Sequence, residues 1–125
     1  GSPVEEVNDT TWFHPVIDFD LSNEKLPLDE NSSWYQRVIE TTSQAVKRWG
    51  NQVCIGIPDL GGNLDILASI RSSQSLLIDL YDHPDWVENL SHQITEFWLK
   101  IYDQLYVISV SSGMGTAGWG PLWMP

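Results

Sequence analysis

VCIGIPDLGGNLDILASIR, residues 53–71, is the stretch whose reading decides the fold. It opens with Val53, Cys54, Ile55, Gly56 and Ile57, a short β-rich run that fits a buried strand. Pro58 cannot continue a central strand, and Gly61 with Gly62 lets the backbone turn through conformations that other residues avoid. Asn63 is placed to cap a helix, and Leu64, Ile66, Leu67 and Ile70 give that helix an apolar side. The expected unit is strand, polar glycine turn, helix. In α/β folds, ligands bind at the turn after the carboxyl end of a strand, where Asp59 stands here.

Upstream, the spacing predicts a helix over 33–49. Tyr35, Val38, Ile39, Thr42, Ala45, Val46 and Trp49 recur three and four apart, residues 31–33 offer caps, and Gly50 suits a left-handed ending. Residues 12–19 read as an edge or first strand interrupted by Pro15, residues 3–11 as a loose acidic lead-in, and residues 20–31 as a connecting loop. Downstream, Ser72 or Ser73 caps a short helix carrying Leu76, Leu77, Leu80 and Tyr81. The break at residues 82–85 restarts the chain at Pro84, which suits a first helical position, with His83 read as a helix-start residue. A long helix follows, with Val87, Leu90, Ile94, Phe97, Trp98, Ile101 and Leu105 as its apolar stripe. Past Ser109 the chain turns to serine and glycine, then to an aromatic tail that forms a last strand. This order predicts an α/β layout with parallel strands and one long amphipathic helix.

The chain has 125 residues, 42% hydrophobic content, seven tryptophans and a formal charge of −11. That is globular composition, expected to form a single domain over residues 3–125. Gly1 and Ser2 read as a cloning scar, and the chain as an excised internal piece. Such acidity repels phosphate backbones and anionic membrane surfaces, so neither nucleic acid nor membrane is an expected partner. No apolar run nears the roughly 20 residues a membrane span needs. A single cysteine, Cys54, fits a reducing, cytoplasmic setting and reads as a buried structural thiol.

His14, His83 and His92 are too scattered for a metal set, and no metal ligand is assigned. The glycine turn lacks the features of a P-loop or a dinucleotide fingerprint, and no nucleophile elbow occurs. Asp59 is the acidic residue with a positional argument. It either orients a ligand or exchanges a proton, or it caps the glycine turn. Asp59 is thus the catalytic candidate, and Asp59, Asn63, Trp119 and Trp123 are the ligand-binding candidates. The two tryptophans, set beside glycines, either line a pocket for an apolar or ring-shaped ligand or belong to a core. Asp65, in the first helical turn, complements the helix dipole.

GIPDLGGNLDILAS (56–69) is similar to a strand–loop–helix of the uroporphyrinogen decarboxylase-like superfamily, which includes corrinoid-linked methyltransferases. LLIDLYDHPDWV (76–87) resembles that family's LL-x-DL-x-D-x-P-E-x-V segment, and GWGPLW (118–123) a tryptophan-containing strand and loop of divergent members. The match covers residues 50–125 and, more loosely, 12–49. The resemblance implies a partial TIM-type (β/α)8 barrel of parallel strands, cut from a protein of several hundred residues. It implies a lyase or methyltransferase parent acting on a small organic substrate or a corrinoid. Zinc or corrinoid would be the parent's cofactor, with none held by this chain. The decarboxylase's arginine-rich substrate motif and the methyltransferases' His-x-Cys zinc motif have no counterpart here, so this chain by itself is expected to be inactive. A barrel piece would also expose apolar surface and self-associate through it. The rival expectation is an acidic binding or interaction module without catalysis, docking through its aromatic tail.

Overall fold

The computed structural model describes residues 4–7, 10–15, 25–118 and 123–124, with Thr10, Trp123 and Met124 described by backbone alone. The chain divides into two compact units, one of Gly1–Pro27 with Gly61–Glu96, the other of Leu28–Leu60 with Phe97–Pro125.

The first unit begins with an antiparallel pair, β1 (Val4–Val7) and β2 (Thr10–Phe13), in register from Val4 opposite Phe13 to Val7 opposite Thr10. A strand therefore occupies part of the expected lead-in. Its sequence, Val-Glu-Glu-Val, puts one Val and one Glu on each face, and all of β1 is exposed. His14 Nε2 lies 2.7 Å from Glu5 Oε2, closing the pair at its open end. Helices α2 (Asn63–Arg71) and α3 (Ser73–Asp82) follow, then the start of α4 (Pro84–Val110). The core of this unit is Leu67 from α2, Leu76 from α3, and Val87, Leu90 and Ile94 from α4, with Leu26, Ile66, Ala68 and Trp86 packed around it. Val87, Leu90 and Ile94 are the three- and four-spaced positions of the predicted stripe, which is why α4 turns that side inward.

Ser72 joins α2 to α3 and serves both. Its N–H closes α2 on Ala68 O at 2.9 Å, and its Oγ accepts the Ser75 N–H at 3.2 Å to open α3. It holds φ 78° and ψ 147°, the one positive φ among the described non-glycine residues and a region that favours glycine. Beside this corner lies an ion pair. Arg71 Nε donates to Asp79 Oδ2 at 2.7 Å, and a second guanidinium nitrogen lies 3.3 Å from Oδ1. The Asp79 side chain is 3% exposed and that of Arg71 is 23% exposed. The hydrogen bond to Asp79 raises the Arg71 pKa above its already high ordinary value, against the opposing effect of burial.

The second unit contains α1 (Ser33–Trp49), the rest of α4, and a two-residue antiparallel pair, β3 (Thr116–Ala117) with β4 (Trp123–Met124). Ser32 caps α1, its Oγ accepting from Tyr35 N at 3.2 Å. Gly50 ends α1 in a right-handed conformation, φ −60° and ψ −16°, where a left-handed one was expected. Its role is close approach: a Cβ there would sit 2.8 Å from Ser112 Cβ. Lys100 pairs with Glu30, and the hydrogen bond it donates to that carboxylate raises the Lys100 pKa. Tyr35 Oη donates to Gln104 Oε1. The fully buried side chains here are Leu105 and Ser109, and the Ser109 hydroxyl has no hydrogen-bond partner.

These elements correct the predicted fold class. Among the described residues, four helices are accompanied by two small antiparallel pairs, with no parallel strand pairing. This is not a TIM-barrel fragment, and the lyase and methyltransferase expectations tied to the barrel fall with it. The run at residues 53–57 is not a strand. Among the described residues it has one ladder-like bond, Ile57 N to Ala117 O at 2.8 Å, supported by Thr116 Oγ1 donating to Ile55 O at 3.2 Å. A parallel strand needs cover on both faces, whereas Val53 is 51% exposed and Gly56 offers no side chain to bury. Among the described residues no helix is long and apolar enough to cross a membrane.

Two stability measurements check this packing. Asp79→Ala leaves the Arg71 guanidinium without its carboxylate and should destabilise the fold by about 2–3 kcal/mol, since Arg71 can still reach water. Thermal unfolding should then fall by on the order of 10 °C, and Asp79→Asn should lose less by keeping a hydrogen bond. Ser109→Ala removes an unsatisfied buried hydroxyl and should stabilise by about 1 kcal/mol, raising the midpoint by several degrees. A lower midpoint for Ser109→Ala would show that the hydroxyl has a partner.

Candidate functional site

Helix α1 carries more apolar surface than its own unit covers. Thr42 is buried and Tyr35, Ile39, Ala45 and Val46 are half-buried, while Trp34, Val38 and Trp49 are 57%, 37% and 46% exposed. The predicted inward face is thus broader than its covered strip. The remaining edge forms one wall of a groove of about 600 Å³ within the second unit. That wall is Trp34, Arg37, Val38, Thr41, Thr42 and Ala45. The opposite wall is the segment from Ile55 to Asp59, joined by Gly118. Ile57 is buried at 5% exposure, and its bond to Ala117 fixes this wall against β3.

The groove combines an apolar floor with few polar groups, the usual make-up of a small-molecule site. Val38, Ala45, Ile55, Ile57 and Pro58 supply hydrocarbon. The Arg37 guanidinium lies over the Trp34 ring, 5.0 Å from its centroid, in a cation–π arrangement that fixes the charge beside an aromatic face. Thr42 Oγ1 is bonded to Val38 O at 2.9 Å within the helix, and Thr41 and Asp59 are further polar residues of the lining. Asp59 is exposed.

Charge is unevenly distributed. Three of the six Lys and Arg residues in this acidic chain, Arg37, Lys47 and Arg48, lie on α1, against the single acid Glu40. The groove is therefore walled by the most cationic element of a protein with net charge −11.

The other candidates stand elsewhere. Asn63 belongs to the first unit as the first residue of α2, and its cap position is taken by Gly62, which has no side-chain cap bond. The Asn63 amide instead donates to Thr95 Oγ1 at 2.5 Å and Ser91 O at 3.3 Å, pinning α2 to α4. Asp65 stands in the first turn, as expected for a dipole partner. Trp119 lies outside the described residues, and Trp123 is placed in β4 by its backbone. Cys54 is half-buried, with Sγ 3.6 Å from Gly115 O. No cluster of three His, Cys, Asp or Glu with metal-binding geometry occurs among the described residues.

Sequence reasoning placed Asp59 at a functional turn but missed Trp34 and Arg37. Their signal was an aromatic and a cation three apart at the start of a helix, the spacing that puts two side chains on one face. A further hollow of about 630 Å³, from Glu40 to Trp49, is lined, among the described residues, by α1 alone. On α4, Trp98, Tyr102 and Tyr106 stack on one another, with centroids 5.0 and 6.3 Å apart and planes within 15°, so their faces are engaged within the ladder. Compared with known proteins, the chain matches no family model, no curated protein and no solved structure.

Proposed function

We propose that this chain is a binding module whose second unit takes a small organic anion with a flat or apolar body. The observation that carries the reading is the Arg37 guanidinium held over Trp34 in the wall of a largely apolar groove. A ring seated on Val38, Ile55, Ile57 and Pro58 is removed from water, and its carboxylate meets a charge that is already positioned. Arginine suits this role because its planar fork matches a carboxylate and its face tolerates an aromatic neighbour. Asp59 stands in the opposite wall, where its carboxylate favours ligands that also carry a donor and disfavours those with a second anionic group nearby. What these side chains supply is desolvation, one positive charge and orientation, which amounts to recognition.

The test uses naphthoate and its neutral counterpart naphthylmethanol, followed by ligand-observed NMR and calorimetry. Naphthoate should bind about tenfold more tightly than the alcohol, the worth of one charge-assisted hydrogen bond. Trp34→Ala should weaken both ligands, whereas Arg37→Gln should weaken the acid and leave the alcohol unchanged. Equal affinity for acid and alcohol, or binding that neither substitution alters, would overturn the proposal.

A further inference from the structure

The face of α3 turned away from its core is apolar and uncovered. Leu77, Ile78 and Tyr81 are 69%, 60% and 89% exposed, and Leu80 is 42% exposed. Leu77 and Tyr81 are one turn apart and Ile78 adjoins them, so they form a continuous patch. Leu76 and Asp79, on the other side, are the residues α3 commits to its unit. Helix propensity does not call for these exposed groups: polar residues would serve as well at such positions.

The sequence that follows the patch is acidic. Asp82, Asp85 and Glu88 follow Tyr81 within seven residues, and all are exposed. Between Gly61 and Glu96 the single Lys or Arg is Arg71, and its guanidinium is bonded to the buried Asp79. An apolar strip beside exposed acids complements a surface with the opposite charge and the same apolar character. A second copy does not fit through this same face, because it would set Asp82, Asp85 and Glu88 against their own counterparts. An anionic lipid surface is disfavoured for the same reason.

We infer that α3 is a docking face for a cationic amphipathic helix, one with apolar side chains three and four apart and Lys or Arg on its flanks. The apolar face of the partner covers Leu77, Ile78 and Tyr81, and its flanking cations approach Asp82, Asp85 and Glu88. Anchors at helical spacing supply the affinity, and the charges select partner and orientation. The inference is independent of the ligand groove, which lies in the other unit.

The experiment titrates the full chain with three synthetic peptides: a helix of leucine and lysine in amphipathic order, its leucine–glutamate counterpart, and a lysine–serine peptide without an apolar face. Calorimetry gives affinity, and amide shifts give location. The leucine–lysine peptide should bind at least about tenfold more tightly than either control, with shifts centred on residues 77–88. Added salt should weaken that binding without abolishing it. Leu77→Ser with Tyr81→Ser should reduce the affinity about tenfold or more while the far-ultraviolet spectrum is unchanged, since both side chains are exposed. Trp34→Ala should leave the affinity intact. Equal binding of the leucine–lysine and lysine–serine peptides would reduce the effect to charge alone and overturn the inference. Shifts away from α3, an unaffected double variant, or self-association through this face in sedimentation would overturn it too.

Discussion

Arg71 and Asp79 meet at a corner of the chain that has almost no freedom left. One residue, Ser72, separates α2 from α3, and it is held at a positive φ that a serine adopts only when its surroundings insist. The ion pair spans that corner, and the Ser72 hydroxyl and N–H close both helix ends around it. With the angle between α2 and α3 set, Leu67 and Leu76 are brought together over Val87, Leu90 and Ile94. The hydrophobic effect supplies the bulk of the stabilisation, but it has no direction. Direction comes from the paired charges, because an Asp79 carboxylate placed anywhere else in that interior would be buried without a partner.

The same economy of positive charge organises the surface. The chain has six Lys and Arg residues against 17 acids. Arg71 and Lys100 are held in ion pairs, and three others lie on α1. One element is left cationic while the 61–96 region is left acidic. An acidic region with an apolar strip and a cationic helix with an aromatic groove attract different chemistry, so one net charge describes neither.

Periodicity made the helices legible. The stripe from Val87 to Leu105 lies inside α4, and the 33–49 pattern coincides with α1, because three-and-four spacing over many residues has few other physical readings. Ser72 and Pro84 were legible for a different reason: a hydroxyl before a helix and a proline at its first position each satisfy a definite backbone need. The burial of Asp79 was harder to see. A lone carboxylate within LLIDLY reads as a solvent-facing residue until its phase is compared with Leu76, three residues earlier on the inward face.

The run at 53–57 shows why the fold class was misread. Five apolar or small residues ahead of a proline satisfy a strand, a buried loop or a bulge equally, because two-residue periodicity needs more length than this to declare itself. The Gly-Gly turn after it does what was expected, with Gly61 at φ 76°, but such a turn opens a helix in any fold. Strand direction is decided by distant pairing, and here Ile57 is bonded to Ala117, 60 residues away by numbering. That partner leaves the outer side of the segment open toward α1, so the residues expected to be buried in a sheet became the wall of a groove. Asp59 lines this groove, but not at the end of a sheet strand, the position that singled it out in the sequence. A polar turn that ends an apolar segment lies at the edge of covered surface in either architecture, and edges of covered surface are where ligands find both hydrocarbon and charge.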